Sequence, residues 1–316
     1  MRTLSFLLVL ALGLAMTSGG MNGQDPYNGS TDTRADDCGK LQTMQKSSVR
    51  IEYDVRENAE APAGASKIGG KPDLPPGFEW FYDQGKSLDG ISENRPLSFL
   101  AQINCEEASR YDQESLLPSK GMLYFFYEFA TMTWGFDPKD KGSARVYYFQ
   151  GDPSTLRRTD VPSDLPEEYQ IPEMAVSFSS AAELPDFDEF IELCEGFRYQ
   201  QRDGYDQAKS QIIPASGEGA ISKLLGYANL IQNGMLLECE LASSGVYVGG
   251  PEGFANVSAR QREESKKWQL LFQLDSIQTE RYELHWGDGG RIYFYIRMDD
   301  LKALNFEDCW LILQCY

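Results

Sequence analysis

The residues best suited to chemistry stand together near the C-terminal end, in His285-Trp286-Gly287-Asp288-Gly289-Gly290. Trp286 offers an aromatic platform, Asp288 a carboxylate, and the three glycines let another group approach the backbone closely. Arg291 follows at the head of a strand-like run. Two chemistries fit: a ligand contact in which Trp286 and Asp288 grip a polar or sugar-like molecule, and general-acid catalysis by Asp288. A plain structural reading outweighs both, a tight turn feeding the next strand with Asp288 bonded to its own backbone and Trp286 in the core.

The remaining chemistry is thin. His285 is the only histidine, and it has neither a partnered serine in a Gly-x-Ser-x-Gly elbow nor a Cys-x-x-Cys pair to complete a zinc site. Glu238 and Glu240 fall on one face of a strand read over 235–241, a geometry that suits a hard cation, but an exposed strand face is the simpler account, and no calcium-loop spacing occurs. The stretch 245–253 is rich in glycine yet lacks the lysine and strand-to-helix setting of a phosphate loop. No catalytic set, cofactor or metal is therefore expected. Asn28-Gly29-Ser30 and Asn256-Val257-Ser258 are glycosylation sequons, relevant only in a eukaryotic secretory route.

Charge narrows the partners. The 316 residues carry 48 acidic against 29 basic side chains, a formal charge of -19, which repels the phosphate backbone and argues against nucleic acid. An unknown protein or a small polar ligand is the expected partner. Arg2 precedes an apolar run over 4–16 and small residues at 17–20, the pattern of a secretory signal peptide. At ~1.5 Å per residue that run falls short of a ~30 Å hydrocarbon core, so no stable membrane insertion is expected after cleavage, and retention as an anchor is the lesser reading. The six cysteines permit up to three disulfides in an exported chain, although buried thiols are the simpler state for Cys309 and Cys315.

These segments give residues 1–19 as leader, 20–46 as a flexible polar tether and 47–316 as one domain. Strands are read at 97–103, 122–129, 143–149, 235–241, 268–274, 291–297 and 309–316. Helices are few: one after Pro185, with Phe187, Phe190, Ile191 and Cys194 on one face, and short ones at 220–225 and 299–304. Irregular stretches are read at 66–77, 151–185 and 243–266. The fold class is mainly β, α+β with few helices.

An internal comparison refines this. Phe99-Leu100-Ala101-Gln102-Ile103-Asn104 aligns with Leu270-Leu271-Phe272-Gln273-Leu274-Asp275, and Gly121-Met122-Leu123-Tyr124-Phe125-Phe126 aligns with Gly290-Arg291-Ile292-Tyr293-Phe294-Tyr295. A third strand follows each. The expectation is an internal duplication, two related halves about a pseudo-twofold axis, with Gln102 and Gln273 equivalent and hydrogen-bonded to loop backbone.

Taken together, Ile68-Gly69-Gly70-x-Pro72-x-Leu74-Pro75, Leu100–Asn104, Leu117-Pro118-x-x-Gly121-Met122, Leu224-Leu225-Gly226-Tyr227 with Ile231-Gln232, Trp286–Phe294 and the terminal Trp310–Tyr316 resemble the YwqG-like family, a bacterial domain of unknown function. The likeness covers about Ile51 to Tyr316. It implies a β roll of mostly antiparallel strands and no established reaction. Family members often carry a histidine before the Leu-Leu-Gly-Tyr segment and a proline after it. Here Ser222-Lys223 and Ala228 stand there, so an activity needing that histidine is not expected. The candidate ligand-binding set is His285, Trp286, Asp288, Arg291 and Gln232.

The functional expectation is a non-catalytic binding or interaction module acting outside the cytoplasm. Two alternatives are a carboxylate-dependent hydrolase or carbohydrate-active enzyme, with Asp288 and a second acid, and a toxin-neutralising partner protein, suggested by acidity alone.

Overall fold

A computed structural model describes residues 40–54, 61–84, 94–213, 221–279 and 282–316. The leader and most of the tether lie outside these residues. Within the stretch read as tether, residues 40–46 belong to the fold: 40–43 are helical and Leu41 is buried beside Leu184, Phe187 and Phe190.

Ten strands form one antiparallel sheet: β1 (Lys46–Asp54), β2 (Lys67–Ile68), β3 (Ser98–Asn104), β4 (Met122–Tyr127), β5 (Ala144–Phe149), β6 (Met174–Glu183), β7 (Lys223–Leu225), β8 (Trp268–Asp275), β9 (Arg291–Arg297) and β10 (Trp310–Gln314). Their spatial order is β10-β9-β8-β7-β1-β6-β2-β3-β4-β5. The mainly β, antiparallel expectation is met. Several strands are apolar at successive positions because both faces are covered. The inner faces curl toward each other, so Phe125 of β4 lies 4.3 Å from Phe272 of β8 although most of the sheet separates them. Burying each such ring stabilises the roll by about 1.5–3 kcal/mol.

The β4–β5 and β9–β10 loops each reach across to the opposite edge strand of the sheet. Trp134 and Gly135 in the β4–β5 loop accept bonds from Leu313 N (3.1 Å) and the Trp310 indole (2.9 Å) on β10. Phe306 in the β9–β10 loop packs 5.2 Å from Tyr148 on β5. Gly135 has φ +84°, and a Cβ there would lie 1.9 Å from the Leu311 carbonyl oxygen, so only glycine fits.

The helices are α1 (Phe187–Leu193), α2 (Arg202–Ile212), α3 (Leu236–Ser243) and α4 (Ala259–Ser265), with single turns at Cys105–Ala108 and Met298–Lys302. Three sequence readings are corrected here. Residues 236–241 belong to helix α3 instead of a strand, because Glu192 of α1 accepts from Leu236 N (3.0 Å) and Leu237 N (3.4 Å) and satisfies the helix start from a distant element. Glu238 and Glu240 therefore share no strand face. Residues 223–225 form strand β7 instead of a helix, held between β1 and β8. The region 151–185, read as irregular, contains β6, which pairs with β1 from Ala175 to Glu183.

The two flanks of the sheet repeat in detail. Gln102 Oε1 accepts from Asp73 N (2.8 Å) and its Nε2 donates to Ala65 O (2.7 Å). Gln273 Oε1 accepts from Asn229 N (2.9 Å) and its Nε2 donates to Ile221 O (2.7 Å). Gln102 pairs with Lys67 and Tyr124, Gln273 with Lys223 and Tyr293. Tyr124 donates to Asp73 O and Tyr293 to Asn229 O. Both ladders carry an irregularity at the same step, between Phe99 and Ala101 and between Leu270 and Phe272.

Candidate functional site

The predicted set does not converge on one site. Trp286 is fully buried. Its indole donates to Asp275 O (3.2 Å), and its ring packs on Phe129 (5.3 Å) and Tyr127 (5.7 Å). It is core, not a platform, because the 286–290 turn, closed by Gly290 N on Trp286 O (2.7 Å), folds it inward. Asp288 is exposed on that turn and His285 just before it, with its Nε2 3.8 Å from Glu283. Arg291 is buried with Nε on Asp275 (2.9 Å) and Nη1 on Asn229 O (3.2 Å), so Trp286 and Arg291 meet at Asp275. Gln232 donates through Nε2 to Cys315 O (2.8 Å) and faces a separate polar cleft with Asp186, Asp188 and Arg202.

A cavity of about 360 Å³ lies at the other flank of the sheet. Sequence reasoning singled out none of its residues. Its floor is Ser98, at the start of β3, and Glu128, just past β4. Its walls are Phe129 and Tyr169, and Asp164 and Glu168 stand exposed at its rim. A network holds the Glu128 carboxylate. One oxygen accepts from Arg95 Nε (2.9 Å), and the carboxylate also accepts from Ala130 N (3.1 Å), Thr131 N and the Thr131 hydroxyl. Arg95 reaches Asp83 as well, at 3.4 Å. A buried charge survives only when so bonded.

The Ser98 hydroxyl is 1% exposed and has no hydrogen-bond partner among the described residues. A buried hydroxyl left unpaired costs about 1–3 kcal/mol. Tyr169 is held above the usual tyrosine range, first by burial and then by the charges of Glu168 and Glu128, against the pull of Arg95. Tyr82 donates to Asp164 Oδ1 at 3.1 Å and fixes one rim carboxylate. The only advance signal for this site was a glutamate closing a wholly apolar strand.

A second polar cluster lies under α1 and α3. Glu189 and Glu238 are buried there and Glu192 is half-buried, and desolvation shifts all three upward, Glu192 to about 7 and Glu238 to about 8. The charge of Glu192 adds to the rise of Glu238. Among the described residues no group of three or more His, Cys, Asp or Glu has a geometry that could hold a metal ion. The described cysteines, Cys105, Cys194, Cys239, Cys309 and Cys315, are thiols, and no described helix is long and apolar enough to cross a membrane.

A family model described as Domain of unknown function (DUF1963) matches residues 66–315. The chain belongs to this family. The matched span includes Gln102, Gln273 and every residue lining the cavity, so the DUF1963 domain carries the candidate site within itself. A search of curated proteins gave no match.

Proposed function

We propose that the protein is a binding module acting outside the cytoplasm, built from two copies of one β unit, and that its ligand is a small molecule held in the cavity above Ser98. The observation that carries this reading is the unpaired Ser98 hydroxyl at the floor of an aromatic-walled cavity, within the usual ligand-pocket range of ~300–1,000 Å³. The likeness to YwqG-like proteins supports the β roll and adds no reaction. The matched bonds of Gln102 and Gln273 support the duplication. A hydrolase reading loses its platform with Trp286 in the core, and the buried carboxylate of the cavity, Glu128, is committed to Arg95 and to backbone N–H groups.

The test is a small-molecule screen by protein NMR on the full folded chain, repeated with Ser98→Gln, which extends a longer side chain into the cavity. Hits that move Phe129 and Tyr169 signals and vanish in Ser98→Gln support the reading. Hits that bind Ser98→Gln equally well would place the ligand elsewhere and end it.

A further inference from the structure

We propose that the cavity selects an organic ammonium ion carried on a compact apolar body. This rests on the reading that the cavity binds a small molecule, and it names the class.

Charge decides the sign. Three carboxylates line the described cavity, Glu128, Asp164 and Glu168, against the single guanidinium of Arg95. That guanidinium is already in contact with Glu128 at 2.9 Å and Asp83 at 3.4 Å, so it is turned to protein carboxylates. An anionic ligand would meet the rim acids with no cation given over to it. The whole chain, at -19, extends the same field outward and concentrates cations near the surface.

The walls decide the rest. Phe129 and Tyr169 stand with ring centroids 5.6 Å apart at 60°, and aromatic faces attract ammonium groups through the ring quadrupole while excluding water. Pro96, Leu165 and Pro166 add apolar surface for a hydrocarbon body. At the floor, the Ser98 oxygen is an unused acceptor for one ammonium N–H. A bare metal ion fits less well, since it needs several converging oxygen ligands and no such group of acidic residues exists among the described residues.

Three probes of nearly one shape separate the outcomes: phenethylammonium, 2-phenylethanol and phenylacetate, each titrated by NMR and calorimetry into the full chain at low salt. Phenethylammonium is expected to bind about tenfold tighter than the alcohol, with phenylacetate weakest, and to lose affinity as salt rises. In the double variant Asp164→Asn with Glu168→Gln, the ammonium should lose about tenfold while the alcohol is unchanged, because only the charged probe feels the rim. Both rim residues are exposed, and an unaltered melting curve will show that the variant folds. Equal or tighter binding of the alcohol or phenylacetate, with Phe129 and Tyr169 signals moving, overturns the ammonium class and leaves the cavity as a ligand site. Probes that move no signal at Ser98, Phe129 or Tyr169 overturn both.

Discussion

Ser98 and Gln269 hold corresponding positions in the two halves of the sheet, opposite Tyr127 and Ile296, yet their side chains end differently. Gln269 extends to Gly226 O (2.8 Å) through Nε2 and accepts from Lys46 Nζ (2.6 Å). Ser98 stops at an unpaired hydroxyl, with a cavity beside it. The ion pairs that follow are reversed in sense. Glu128 bonds Arg95 in the first half, and Arg297 bonds Glu240 at 2.6 Å in the second, where it also covers the Trp268 ring. Two similar frames thus finish in different surfaces, and the difference comes from side-chain length and charge at a few positions.

The frame itself should respond symmetrically. Gln102→Leu and Gln273→Leu each strip a buried loop N–H and a loop carbonyl of their partner, so each is expected to destabilise by about 2–4 kcal/mol in urea unfolding. Gln102→Leu should cost extra stability near neutral pH, since its second side-chain bond goes to the Asp73 carboxylate, where that of Gln273 goes to the neutral amide oxygen of Asn229. Burial pushes the Asp73 carboxyl up, but bonds from Arg158, Gln102 and Gly64 outweigh that and hold it below the usual range. Its contribution is present above the ordinary aspartate pKa and is lost as pH falls through the lowered value. A loss under 1 kcal/mol for either variant would show that the loops find other partners.

Trp286 and Asp288 should separate cleanly although they share one turn. Trp286→Ala empties a fully buried site between Phe129 and Tyr127, with an expected cost of about 3–5 kcal/mol. Asp288→Ala, at an exposed position, should stay within about 0.5 kcal/mol. Thermal melts of the two variants decide this. A collapsed transition in Asp288→Ala would make it a structural turn residue.

Alkaline pH should loosen the α1–α3 layer. Glu192 and Glu238 keep their protons to about 7 and about 8, well above the ordinary 4.5 of an unfolded glutamate. Burial is the main cause for both, offset at Glu192 by the Leu236 and Leu237 N–H groups. The folded state therefore binds protons that the unfolded chain releases above about 4.5. The stability they contribute is full below that value and lost as pH rises through about 7 to 8. Urea midpoints measured at pH 5, 7 and 9 should fall, and Glu238→Gln should fall less between 7 and 9. An identical slope in the variant would remove Glu238 from the account.

Export can be tested on its own. Deleting residues 1–19 is expected to leave the protein in the cytoplasm, and folded, since none of the five described cysteines is in a disulfide. Fractionation that finds the exported amount undiminished would refute the leader.

The β class and most of the long strands could be read from the chain alone, because they depend on local periodicity, and the likeness of the runs around Gln102 and Gln273 was visible as similar residues in similar order. Sequence reasoning misread 235–241 because an apolar run suits strand or helix alike. The carboxylate of Glu192, far away in the chain, decided for helix by supplying acceptors to its first turn. It missed β6 behind a series of prolines, where pairing with β1 sets the conformation. The glycine turn at 286–290 drew attention as a site because its residue types suit one, and only the packing of Trp286 against Phe129 and Tyr127 made it core. The cavity needed the tertiary structure altogether. Ser98, Glu128 and Tyr169 come from separate stretches, and an unpaired hydroxyl or a buried carboxylate is defined by its neighbours in space, which no spacing along the chain can reveal.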